Sequence, residues 1–268
     1  MKIDLSGRTA LILASSKGLG FSSAMNLAKS GCNVILTGRS EENLKKAVIK
    51  IRSESEKNNT KPNVDFFQID LNSSEELKVF EKKLAVLPEI DILILNSGGP
   101  SPGNFDYFSD AKDIEDESSK ITYPAMMFMK SVLPSMKKNK WGRIINISSI
   151  GLARPITEIA VSNASRSFLA GLMVGIANEN AQHGITLNTV LPGIIWTDRQ
   201  KMLAEHDSKA LGMSINKVIS NKAKLVPSEK LGDPDDVGFL VTFLSSDNAK
   251  YINGQFIAVD GGLLGLLR

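Results

Sequence analysis

Short apolar runs alternate with longer stretches in which apolar residues recur every three to four positions, from one end of the chain to the other. Runs of four to six apolar residues read as strands buried on both faces. The longer pattern reads as helices with one apolar stripe. Strand and helix in strict alternation predict an α/β fold, a doubly wound parallel sheet flanked by helices. Seven strands are predicted, at Ala10–Ala14, Asn33–Thr37, Val64–Ile69, Ile92–Leu95, Arg143–Ile147, Thr186–Leu191 and Gln255–Val259.

The polar stretch Ser53–Pro62, SESEKNNTKP, reads as a loop that returns a helix to the third strand. Residues 197–234 carry scattered helical pattern and many charges after the sixth strand, and read as a mobile substrate cover. No repeat or low-complexity tract divides the chain, so one domain spanning residues 1–268 is expected.

Composition narrows the classes of partner. The 268 residues are 42% hydrophobic and 23% charged, with a formal net charge of +3 and a pI near 8.8. That balance gives no basic surface for nucleic acid or membrane. The densest basic cluster, Lys137, Lys138 and Lys140, falls where a helix ends, the favourable place for cations. The lone Cys32 forms no internal disulfide and supplies no metal-ligand set, so no metal is expected and a reducing compartment fits. Met1–Ser6 carries no apolar signal region and no apolar run reaches the ~20 residues of a membrane span. A soluble, cytoplasmic protein is expected.

Candidate chemistry begins after the first strand. There the segment Ala14-Ser15-Ser16-Lys17-Gly18-Leu19-Gly20 leads into an apolar helix that ends near Gly31. Glycines let backbone approach a pyrophosphate closely, and the free N–H groups of the helix start face its charge. Arg39 follows the second strand, where a dinucleotide-binding fold sets the residue nearest the adenosine ribose. A carboxylate there accepts from a free 2′-hydroxyl, whereas a guanidinium pairs with a 2′-phosphate. With Lys17 beside it, Arg39 favours NADP(H) over NAD(H).

Three further markers fall into order: Asn96-Ser97-Gly98 after the fourth strand, Ser148-Ser149 after the fifth and Pro192-Gly193 after the sixth. With Tyr251–Gln255 and Val259–Gly262 at the close, the chain resembles the short-chain dehydrogenase/reductase family almost throughout. Within it, the chain is most similar to the β-ketoacyl-acyl carrier protein reductase-like members. The resemblance implies that Ser15, Ser16, Lys17, Gly18, Leu19 and Gly20 hold phosphates, that Asp70 and Leu71 meet adenine, and that Asn96, Ser97 and Gly98 line the ribose side. It also implies that Pro192, Gly193, Ile195 and Thr197 hold the nicotinamide carboxamide. The family's Thr-Gly opening is Leu13-Ala14 here, and its Asn-Asn-Ala-Gly is Leu95-Asn96-Ser97-Gly98. Alanine keeps a close turn unless a positive φ is required, so binding is expected to survive.

The family reduces carbonyls with a tyrosine acid, a lysine four residues later, a serine and an asparagine. Ser149 matches the serine, but the tyrosine position falls on Ser162, the lysine on Arg166 and the asparagine on Ile121. A serine hydroxyl is a far poorer proton donor than a phenol of pKa ~10, and an arginine does not relay protons. Arg166 is expected to hold the cofactor ribose. Tyr107, Tyr123 and Tyr251 lie outside the segment from Ser149 to Arg166, and Tyr123 comes nearest the pocket by position. Arg154 and Glu158 border the substrate region, as substrate ligands or as a solvated ion pair, and His206 is expected to be exposed and unpaired.

Three readings follow. The first is an NADP(H)-dependent oxidoreductase on a small carbonyl or alcohol, with Ser149 polarising the carbonyl and water or a neighbour supplying the proton. The second is an NADP(H)-binding sensor or structural subunit without turnover. The third is non-redox chemistry resembling the halohydrin dehalogenases, disfavoured because those enzymes keep the tyrosine and lose the glycine loop. The small residues of 162–181 and the apolar tail Leu263–Leu267 point to a homodimer or homotetramer, or to a tail folded back on its own subunit.

Overall fold

The computed structural model describes residues 3–84, 88–98 and 103–265. Seven strands, β1 (Thr9–Ile12), β2 (Asn33–Gly38), β3 (Val64–Gln68), β4 (Ile92–Leu95), β5 (Gly142–Ile147), β6 (Ile185–Pro192) and β7 (Phe256–Val259), form one sheet in the order β3-β2-β1-β4-β5-β6-β7. Every pairing is parallel. The expected Rossmann-like α/β architecture is therefore present, each strand within two residues of its expected bounds. Eight helices connect the described strands: α1 (Gly18–Lys29), α2 (Glu41–Lys57), α3 (Ser74–Leu84), α4 (Ala111–Asn139), α5 (Ala160–Asn180), α6 (Asp198–Leu211), α7 (Ile215–Lys224) and α8 (Pro234–Leu244).

Alternate residues of the central strands feed two cores. Ala10 and Ile12 of β1 and Ile92 and Ile94 of β4 pack on one face with Leu27, Leu44 and Val241. Leu11, Leu93 and Leu95 pack on the other with Phe128, Leu169 and Met173. Both faces are covered, which is why these strands read as continuous apolar runs; each buried Leu or Ile contributes about 1.5–3 kcal/mol.

β1 pairs with β2 on one side and β4 on the other, so the chain winds in opposite directions from this point. The crevice beyond the carboxyl ends of β1 and β4 is the switch point at which such sheets bind ligands.

The expected loop at Ser53–Pro62 needs correction, because its first half is the last turn and a half of α2. Leu44, Val48, Ile51 and Ser55 make a single buried stripe, and the polar residues around Ser55 are simply its solvent side. The segment from residue 197 to 234 is built chiefly of α6 and α7, anchored by buried Ala204 and Val218 and tied by Lys222 to Asp207 at 2.9 Å.

Candidate functional site

The loop from β1 to α1 is held from three sides. Ala14 adopts φ +46°, the left-handed region that a Cβ disfavours. The condition under which alanine is a poor substitute for glycine is therefore met. The Asn96 amide donates to Ala14 O at 3.0 Å and to Leu13 O at 3.3 Å. Gly20 lies beneath the loop, where an added Cβ would come within 2.7 Å of both Ala14 O and Asn96 Nδ2.

Ser15 departs from its expected part. It is fully buried, its hydroxyl donates to Ile12 O at 2.8 Å and accepts from Thr37 N at 3.1 Å, and its own N–H donates to Thr37 O. Its polar groups are thus spent on β1 and β2, so Ser15 shapes the loop rather than facing a phosphate. Leu19 packs against the apolar core.

Lys17 caps α1 with extended backbone and no side-chain cap, and the first helical bond near this end runs from Phe21 N to Lys17 O. The N–H groups at the start of the helix therefore open on the crevice with the positive end of its dipole. An added Cβ at Gly18 would meet only Thr197 Cγ2, at 3.9 Å. That open cradle fits a phosphate group.

A groove of about 460 Å³ runs along the switch point, lined by Ser16, Lys17, Arg39, Asp70, Leu71, Ser97 and Gly98. Both cations expected to read a ribose phosphate thus share one groove with the residues expected at adenine. Sequence reasoning missed Lys120 and Arg199, which also line it. Lys120 is paired to Glu117 one turn earlier on α4. Arg199, in the first turn of α6, reaches across to donate to Gly98 O at 2.5 Å. The only available signal for Arg199 was its place two residues after Thr197.

Behind the groove lies an inner pocket walled by Leu13, Leu95, Ile121, Pro124 and Leu169, with Asn96, Ser97, Asn146 and Arg166 as its polar groups. Ser97 and Leu71 border both spaces. Ser162 and Arg166 sit one turn apart on α5, and Arg166 Nε donates to Ser162 Oγ at 3.2 Å. Burial, and then the like charge of Arg199, push the Arg166 guanidinium pKa down to about 10. Among the described residues no carboxylate forms an ion pair with either arginine. Ser149 follows β5 and accepts from Gly151 N at 3.0 Å, outside the lining of groove and pocket.

No tyrosine lines either space. Tyr123, Tyr107 and Tyr251 are 40%, 62% and 100% exposed. Ile121, Pro124 and Ala125 carry the pocket face of α4, which points Tyr123 away from it. Arg154 and Glu158 are exposed and form no ion pair with each other. His206 is exposed but not unpaired, its Nδ1 lying 3.7 Å from Asp207 Oδ1.

At the end of β6, Gly193 N donates to Val259 O, and an added Cβ there would strike Asp260 at 2.8 Å. Ile195 is buried and bridges to Gly232, and Thr197 caps α6 by accepting from Gln200 N. Thr197 and Gly18 border a second depression across α1 from the groove, with Trp196 and Asp198. Pro192 and Gly193 thus position Thr197 and line neither the groove nor the inner pocket. Leu264 folds back against α5 and β7, lining an apolar groove with Leu152, Ala170 and Phe256; Leu266 and Leu267 lie outside the described residues.

Among the described residues no helix is long and apolar enough to cross a membrane, and no cluster of His, Cys, Asp and Glu is arranged to hold a metal. Cys32 is buried, and burial raises its thiol pKa.

A family model described as short chain dehydrogenase matches residues 8–208. The chain is 35% identical over 263 residues to the 3-oxoacyl-(acyl-carrier-protein) reductase of Rickettsia felis, covering 98% of this chain and 99% of that protein. The solved structure of an NADPH-dependent reductase involved in bacilysin biosynthesis superposes with a TM-score of 0.88 at 26% identity, covering 98% of this chain and 100% of that one. An actinorhodin polyketide ketoreductase solved with NADPH gives a TM-score of 0.86 at 26% identity, covering 99% and 100%.

Proposed function

The chain belongs to the short-chain dehydrogenase/reductase family, and on that premise we propose that it is an NADP(H)-dependent oxidoreductase acting on a small carbonyl or alcohol. One observation carries the reading. The cations Lys17, at the open start of α1, and Arg39 share one groove at the switch point of the sheet with Ser16, Asp70 and Ser97. The NADPH-dependent reductases that share its fold support the same cofactor.

Arg39 and Lys17 pair with the 2′-phosphate, and the N–H groups at Gly18, Leu19 and Gly20 face the pyrophosphate. Asp70 and Leu71 border adenine, Asn96, Ser97 and Gly98 the ribose, and Thr197 the carboxamide. When bound, the nicotinamide supplies or takes the hydride. Arg166 has five N–H donors and uses one on Ser162, leaving four for ribose hydroxyls and for oxygen that gains charge. Ser149 polarises the carbonyl, and water delivers the proton, because Ser162 is too weak an acid. Residues 197–234 cover the substrate.

Binding without turnover is the second reading, favoured by the exposure of all three tyrosines away from the pocket. Assembly as a homodimer or homotetramer is supported by exposed Phe168 on α5 and Phe256 on β7.

Fluorescence titration with NADPH and NADH, followed by hydride-transfer assays over a carbonyl panel at several pH values, tests both readings. Tight NADPH binding with turnover of at least one carbonyl is expected. Tight binding with no turnover selects the second reading, and absence of binding by either nucleotide overturns both.

A further inference from the structure

One side-chain hydrogen bond spans the mouth of the site. Arg199 Nη1 donates to Gly98 O at 2.5 Å, between residues 101 apart in the chain. Gly98 lies just beyond the carboxyl end of β4, and Arg199 lies in the first turn of α6, beyond the carboxyl end of β6. In the sheet β5 stands between β4 and β6. Neighbouring strands are about 4.8 Å apart, so the strand ends it joins are roughly 10 Å from each other, with the end of β5 between them. Both Gly98 and Arg199 line the groove.

The helices that carry Arg199 are joined to the body mainly at their base. The chain leaves and returns at one short ladder, where Trp196 N donates to Gly232 O at 2.7 Å and Gly232 N to Ile194 O at 3.0 Å. A backbone bond from Ser228 N to Gly261 O holds the returning end. In between, α6 packs chiefly on α7 rather than on the helices and strands of the body, and the Lys222–Asp207 pair ties the two together. Among the described residues, Arg199 makes the single side-chain hydrogen bond from α6 or α7 to any other part of the chain. Arg199 is exposed, so water replaces the carbonyl when the bond breaks and opening costs little.

We infer that the Arg199–Gly98 bond is a latch on the cofactor: it holds α6 across the bound dinucleotide and has to open for NADP(H) to enter or leave. The inference rests on the NADP(H) reading above, in which Ser97 and Gly98 border the ribose and Thr197, two residues before Arg199, borders the carboxamide. A cofactor placed so runs beneath the bond, its adenosine in the groove and its nicotinamide on the far side, and does not lift out while the bond is made. The latch therefore acts on rates. A bond made both with and without the cofactor slows entry and exit alike and leaves affinity nearly unchanged. A side chain that instead grips the pyrophosphate slows exit alone and tightens binding.

Stopped-flow fluorescence of NADPH binding, and of its displacement by excess NADP+, reads both rate constants without turnover, and titration reads the affinity. Losing one hydrogen bond from a charged donor at an exposed site shifts an opening equilibrium by about 3–10-fold. In Arg199→Met, association and dissociation are both expected to speed up by that factor, with the dissociation constant nearly unchanged. Lys201→Met removes the same charge two residues along α6, outside the groove, and is expected to leave both rates as they are. Faster dissociation alone, with weaker binding, would show that Arg199 grips the cofactor, and slower association alone that it only steers it; either overturns the latch. Unchanged rates in Arg199→Met, or equal acceleration in Lys201→Met, overturn it too. In all these cases NADPH still binds, so the cofactor reading stands. Failure of the wild-type protein to bind NADPH overturns that reading and the latch with it.

Discussion

The side-chain amide of Asn96 donates to the carbonyl of Ala14 at 3.0 Å, joining the end of β4 to a loop 82 residues earlier at the point where that loop turns left-handed. Ala14 holds φ +46° because Asn96, Gly20 and buried Ser15 leave the loop no other course. An L-residue there carries roughly 1–2 kcal/mol of strain, and a glycine gives part of it back through its looser unfolded chain. Ala14→Gly is therefore expected to stabilise the protein by about 0.5–1 kcal/mol, raising Tm by about 1–3 °C in a thermal melt. NADPH affinity should hold or improve. A lower Tm would show that the loop is relaxed as it stands.

Gly20 has the opposite requirement. A methyl group at this position meets a backbone carbonyl and the Asn96 amide at 2.7 Å, and neither moves without opening the loop. Gly20→Ala should cost about 1–3 kcal/mol, as overpacking does, and should weaken NADPH more than it lowers Tm would suggest. Calorimetric titration beside a melt checks both; unchanged NADPH affinity would detach the loop from the nucleotide site.

Arg39 and Lys17 share the groove with Asp70, and no ion pair holds either cation elsewhere among the described residues. A guanidinium on a phosphate is worth about 1.5–3 kcal/mol, so Arg39→Asp should weaken NADPH by about 10–100-fold and NADH little or not at all. Fluorescence titration with each nucleotide measures the ratio. Equal losses would mean that Arg39 does not face the 2′-phosphate.

The strands were legible because both faces of the sheet are covered. Ile92 to Leu95 alternate between two cores, and a run that is apolar throughout has no other reading at that length. The end of α2 was obscured because its last turns bury Ser55, a polar residue on the apolar stripe. Lys17, Arg39 and Ser97 could be placed by their distance from strand ends, since β1, β2 and β4 finish side by side. Arg199 could not. Its role depends on where α6 begins and on a reach across to Gly98 that no local pattern encodes. Ser15 was misjudged for a related reason, because which way a loop hydroxyl turns is decided by its neighbour strand, here through Thr37.

The half-buried guanidinium of Arg166 should be visible as a trade between stability and binding. Burial, and then Arg199, lower its pKa to about 10 from the ordinary 12.5. Between those values the unfolded chain binds more protons than the folded one, so this group's contribution to stability improves as pH rises through about 10 and is at its worst, and constant, at any lower pH. Arg166→Met removes the penalty while keeping much of the packing. Without ligand, the variant is expected to melt about 2–6 °C above the wild type at pH 7, equivalent to roughly 1–2 kcal/mol. The difference should stay flat from pH 6 to 9 and shrink toward pH 11. Saturating NADPH should narrow or reverse the difference, because in the reading above the wild-type guanidinium gains the ribose hydroxyls as hydrogen-bond partners and the variant does not. A variant that melts lower than the wild type without ligand would show that the Arg166 charge is already compensated within the fold.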